Sequence, residues 1–144
     1  MAANTVPIFP KTPNIGMGKV TTADATAVKN HDGTSSGAVL IFTAGAEGAR
    51  VDEIQAQHLG TNVATALRIF INNGSDPTTA TNNTLYKEVT AAAATISEVA
   101  LLTSISILTA AVSALVLPAG YKLYAVVGTT IAAGLQLTVV GGDY

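Results

Sequence analysis

The sequence predicts an all-β fold, a sandwich or barrel of short strands, and three observations carry that expectation. Apolar residues recur mostly with period two, the spacing that puts alternate side chains on one face of a strand. These runs are short and are separated by clusters of Gly, Pro, Asn, Asp and Ser. A length of 144 residues fits one domain, with room for a core that needs neither metal nor disulfide.

The chain opens with Pro7, Pro10 and Pro13 interleaved with Val6, Ile8 and Phe9. Proline at that spacing favours an extended backbone and removes amide donors. A solvated tail would gain nothing from Ile-Phe. Residues 1–14 therefore read as an extended arm lying on a neighbouring subunit, with Ile8 and Phe9 as anchors, ahead of a single domain over residues 15–144. A disordered tail is the alternative. No charged region followed by an apolar stretch opens the chain, so a secretory signal is not expected.

Residues 15–21 form a weak first strand. Val39-Leu40-Ile41-Phe42 is an apolar run closed by the glycines at 45 and 48. Arg50 to Leu59 sets Ile54, Ala56 and His58 on one face and Glu53, Gln55 and Gln57 on the other. Between Val63 and Ile71, Leu67, Ile69 and Ile71 share a side, and Arg68 and Phe70 face away. Asn72 to Pro77 holds nearly every turn former, and a polar loop follows to Thr84. Leu85 to Val89 resumes as a strand.

Residues 91–113 are ambiguous. Their alanines suit a helix, whereas their Thr and Ile content and the alternation Ser104-Ile105-Ser106-Ile107 suit strands; the reading is mostly β. Val99 to Leu117 lacks charge over about 19 residues, the length of a membrane span. Five hydroxyl side chains dilute it, and flanking Lys, Arg and Trp are missing, so no span is expected. Ala114-Leu115-Val116-Leu117 and Tyr121 to Val127 are paired strands around a reversal at Pro118-Ala119-Gly120. Leu135 to Val140 is the last strand. The total is about eight strands.

Composition narrows the function. The chain is 49% hydrophobic, but only 5% aromatic and 11% charged. Soluble domains carry roughly 25% charged residues, so much of this surface is small and polar or is covered by other subunits. Seven basic and nine acidic side chains give a net charge of -2 with no cationic run. Clustered cations are what displace counterions from phosphates, so nucleic acid is not an expected partner. The absence of Cys excludes disulfides and thiolate metal sites.

Catalytic patterns are weak. Gly33-Thr34-Ser35-Ser36-Gly37 fits the nucleophile elbow of α/β-hydrolases, which needs a strand before it and a helix after it. Here a strand follows and none precedes. His31 and His58 are the two histidines; they read as a loop residue and a half-buried strand residue, and neither belongs to a metal motif. Tyr86, Tyr121, Tyr124 and Tyr144 could stack on sugars, since tyrosine offers a flat apolar face with a polar edge; packing is the plainer reading. No enzyme activity and no cofactor are expected.

Two stretches carry a family resemblance. Leu117-Pro118-Ala119-Gly120-Tyr121-Lys122-Leu123-Tyr124, then Gly128-Thr129-Thr130-Ile131-Ala132-Ala133-Gly134, then the ending Gly141-Gly142-Asp143-Tyr144, resemble small virion proteins of tailed bacteriophages. The opening Pro7-Ile8-Phe9-Pro10-Lys11-Thr12-Pro13 is similar to the starts of the same group. The likeness covers roughly the first twenty and last thirty residues, and its motifs are of low specificity. It implies a capsid decoration (cement) protein with a jelly-roll-like β-sandwich, sitting as a homodimer or homotrimer on the outer capsid and bridging capsomers. The implied partners are the major capsid protein and further copies of the chain, with no nucleic acid and no membrane. Assembly would take place in the host cytoplasm, and Ile8, Phe9 and Lys11 would be the contacts in the arm. A minor head or tail fibre component and a carbohydrate-binding β-sandwich are the alternatives.

Overall fold

The computed structural model describes residues 9–109, 111 and 113–144. Period-two patterning becomes strands β1 (Thr12–Val20), β2 (Val39–Thr43), β3 (Ala49–His58), β4 (Thr65–Asn72) and β5 (Asn83–Ala91). β6 (Ile105–Leu108), β7 (Leu115–Leu117), β8 (Lys122–Val127) and β9 (Leu135–Asp143) follow. One short helix, α1 (Ala27–Asp32), and a 3-10 turn at Ala80–Asn82 complete the regular structure of the described residues. The protein is all-β, two antiparallel sheets stacked as a sandwich.

The first sheet has the order β1-β9-β3-β6, with β7 also on β3; the second has the order β2-β8-β4-β5. β6 and β7 lie end to end along one edge of β3, because Ile105 to Leu108 pairs with Ala56 to Ile54 and Leu115 to Leu117 pairs with Val51 to Ala49. They act as one strand interrupted between Leu108 and Leu115.

The core between the sheets is aliphatic. Ile41, Val51, Ile54, Leu67, Ile69, Leu123, Leu135 and Leu137 are all buried there. Each contributes roughly 1.5–3 kcal/mol relative to exposure. The face of β3 predicted to be buried, with Ile54, Ala56 and His58, is buried. Ahead of it a bulge between Val51 and Glu53 shifts the alternation by one residue, as bulges do.

One feature differs from the expectation. β1 begins at Thr12, inside the stretch assigned to the arm: Thr12, Pro13 and Asn14 pair with Asp143, Gly142 and Gly141. Pro13 is tolerated because β1 is an edge strand, where a missing amide donor can face away from the ladder. The alanines at 92–94 form no helix, in line with the β reading of that stretch. Ala94 exchanges both backbone hydrogen bonds with Asn62, each 2.9 Å, and this pairing holds the chain extended.

A close approach joins the sheets along one side. A Cβ on Gly16 would fall 1.8 Å from the Ile41 carbonyl oxygen, so only glycine lets β1 and β2 lean together there.

The second sheet is buried on its outer face as well. Phe70 is 1% exposed, and Arg68 and Val126 beside it are also buried. The segment that carries α1 packs on Phe70 through Gly33. Gly33 ends α1 with φ 83° and its Cα approaches the Phe70 ring so closely that a Cβ would sit 2.8 Å from Cδ1.

Candidate functional site

Of the arm residues, Ile8 lies outside the described residues. Phe9 is exposed, and Lys11 carries an exposed side chain while its backbone N–H donates to the Asp143 carbonyl at 2.7 Å. Phe9 and Lys11 therefore flank the point where the chain joins β9, with Phe9 pointing to solvent.

The Gly33–Gly37 segment runs from a helix into a strand, the reverse of the order that a nucleophile elbow requires. Ser35 is buried and its Oγ accepts from the Gly37 N–H at 3.1 Å. His58 lies at the end of β3 in the other sheet, where its Nδ1 meets the Asn62 side-chain amide at 3.1 Å. Asn62 also donates to the Gly134 carbonyl and accepts from the Ala133 N–H. With its backbone tied to Ala94, Asn62 joins three loops at one end of the sandwich, and His58 is part of that joint. Among the described residues no group of three or more His, Asp or Glu could hold a metal ion.

The structure does assemble one pocket of about 400 Å³ that the sequence had not grouped. It lies on the outer face of the second sheet. Tyr124 of β8 is at its base, residues 33–36 form one wall, Pro77 and Thr78 form the other, and Lys29 is at the rim. Of the tyrosines, Tyr86 and Tyr121 pack against the core, and Tyr124 alone lines this pocket.

Three Asp-x-Thr turns build the surroundings. The Thr26, Thr34 and Thr78 N–H groups donate to Asp24, Asp32 and Asp76 at 2.8, 2.9 and 2.9 Å. Asp24 also accepts from the Ser36 N–H at 3.0 Å, which pins the wall of the pocket to the chain ahead of α1. Hydrogen bonds to a carboxylate favour its charged form. Those from Ser36 and Thr26 hold the Asp24 carboxyl down to about 2. Asp32 and Asp76 are lowered by their bonds from Thr34 and Thr78. The Tyr124 phenol is pushed up by burial and then by the charge of Asp76.

The D-x-T spacing was readable in the sequence as local side chain-to-backbone turns. That the turns at Asp32 and Asp76 flank Tyr124 depends on strand pairing and has no local signal. Comparison with known protein families, curated proteins and solved structures finds no match to this chain.

Proposed function

We propose that this chain is a structural virion protein that decorates and stabilises a tailed-phage capsid, binding between capsomers as a homo-oligomer. The observation that carries the assembly half is an apolar surface without a cover. On the outer face of the first sheet, Ile15 and Met17 are 59% and 69% exposed. In the connection from β5 to β6, Val99 and Leu101 are 97% and 95% exposed. Exposed large apolar side chains such as these suit a surface that other protein copies cover.

The virion half rests on the resemblance of the two chain ends. A finer fold reading supports it. With β6 and β7 counted as one strand, we read the orders β1-β9-β3-β6 and β2-β8-β4-β5 as a jelly roll, an architecture used in viral capsids. The partners are then the major capsid protein and further copies of the chain on the outer surface of the particle. Its action is binding alone. Weak contacts from each subunit add through effective concentration, so a dimer or trimer holds where one copy would not.

The test is the copy number of the chain in purified particles, by quantitative mass spectrometry. A fixed ratio to the major capsid protein is expected; a few copies per particle would mean a fibre component instead. Deleting residues 1–9 removes Ile8 and Phe9 without cutting β1. The shortened chain should keep its circular dichroism and lose the particle. Full decoration by the shortened chain would remove the arm from the mechanism.

A further inference from the structure

We propose that the Tyr124 pocket binds a single pyranose ring of a saccharide, its apolar face laid on the tyrosine and its hydroxyls on the loop walls. Binding here needs no second copy and no capsid, so the site is a function separate from assembly.

Size is the first support. About 400 Å³ lies within the usual range for small-ligand pockets, roughly 300–1,000 Å³, at the lower end, where one sugar ring fits. Chemistry is the second. A sugar offers a C–H face to an aromatic ring and hydroxyls around its edge, and tyrosine offers the matching flat apolar face and polar tip. The Tyr124 hydroxyl has no hydrogen-bond partner among the described residues. The Ser35 Oγ accepts from Gly37 and has its own proton unclaimed among them. Because burial and Asp76 raise the Tyr124 phenol, it stays a donor at neutral pH.

The surroundings disfavour other ligand classes. None of the residues that line the pocket is an Asp or Glu, so no carboxylate is presented there to recruit a cation. Lys29 stands 4.0 Å from Asp24 and has no second cation beside it in the pocket, which leaves a phosphate poorly neutralised. One ring, without a second to sandwich it, is a poor seat for a nucleobase. The Asp-x-Thr turns hold the walls in place before any ligand arrives, which lowers the ordering cost of binding.

The experiment is saturation-transfer NMR of the full chain with the methyl glycosides of glucose, galactose, mannose and N-acetylglucosamine at millimolar concentration. At least one should receive saturation mainly on one face of its ring. Tyr124→Ala should weaken that binding at least tenfold, and Tyr86→Ala should leave it unchanged. Ser36→Phe provides a second variant, because Ser36 is exposed at the rim and its bond to Asp24 comes from the backbone. It should block the pocket with the circular dichroism intact. No saturation of any of the four glycosides, or saturation that survives both Tyr124→Ala and Ser36→Phe, would overturn the proposal.

Discussion

The outer faces of the two sheets are treated in opposite ways. On the second sheet Phe70, Val126 and Arg68 are buried, and the chain doubles back so that Gly33, at the end of α1, packs on the Phe70 ring. On the first sheet Ile15, Met17, Val116 and Val140 are left exposed. Both faces come from strands with the same alternation. The difference lies in the connections: a long one packs on Phe70 of the second sheet, whereas the β5–β6 connection touches the first sheet at Gln57 through Leu102 and leaves these four side chains exposed. A strand pattern thus specifies which side chains share a face, whereas loops decide whether that face is a second small core or a contact surface.

The largest expected effect is on the sealed face. Phe70→Ala should cost about 3–5 kcal/mol, measured by urea unfolding. A loss below about 1 kcal/mol would mean that the cover over Phe70 contributes little.

The ion pair on the same face comes next. Arg68 Nε donates to Glu88 Oε2 at 2.5 Å, and Arg68 Nη1 is buried without a partner. Glu88→Ala would leave a buried guanidinium uncompensated. Because Glu88 is half exposed, water can replace part of its role, and the expected loss is about 2 kcal/mol. An unchanged unfolding midpoint would mean that Arg68 reaches water.

Acid sharpens the comparison further. Folded pKa values below the ordinary carboxylate range add stability that is full above the unfolded value and lost as pH falls through the folded one. For Asp24 that window runs from the ordinary 3.8 down to about 2. The cover should therefore loosen across it before the first sheet responds, as read by amide exchange at Ser36 and Thr34. Simultaneous loss of protection in both sheets would contradict a separately held cover.

The smallest effect on stability belongs to the bare face. Ile15→Ser with Met17→Ser should change the unfolding free energy of the isolated chain by no more than about 0.5 kcal/mol each. The same pair should lower oligomer content in sedimentation. A large stability loss with no change in association would mark these residues as packed rather than presented.

Much of the sandwich was legible because alternation is local. The runs at 39–42, 50–59, 121–127 and 135–140 sit in β2, β3, β8 and β9 with small shifts at their ends. Phe70 shows the limit: its period correctly turned it away from the main core, but no local pattern says that Gly33 will pack on its ring. Tyr124 is the same case, one of four similar tyrosines until β8 and two loops bring it under a pocket. Asn62 was invisible for the same reason, since its partners at Ala94, Ala133 and Gly134 are distant in sequence.

The contact of β1 with β2 through Gly16 has a consequence for growth. Sheet edges invite further strands to add, and here one margin of each sheet is turned against the other. What is left open is the opposite margin, where β5 and the interrupted pair β6 and β7 run. Among the described strands, extension would start from that margin, and a bulky substitution at Gly16 would pry open the other.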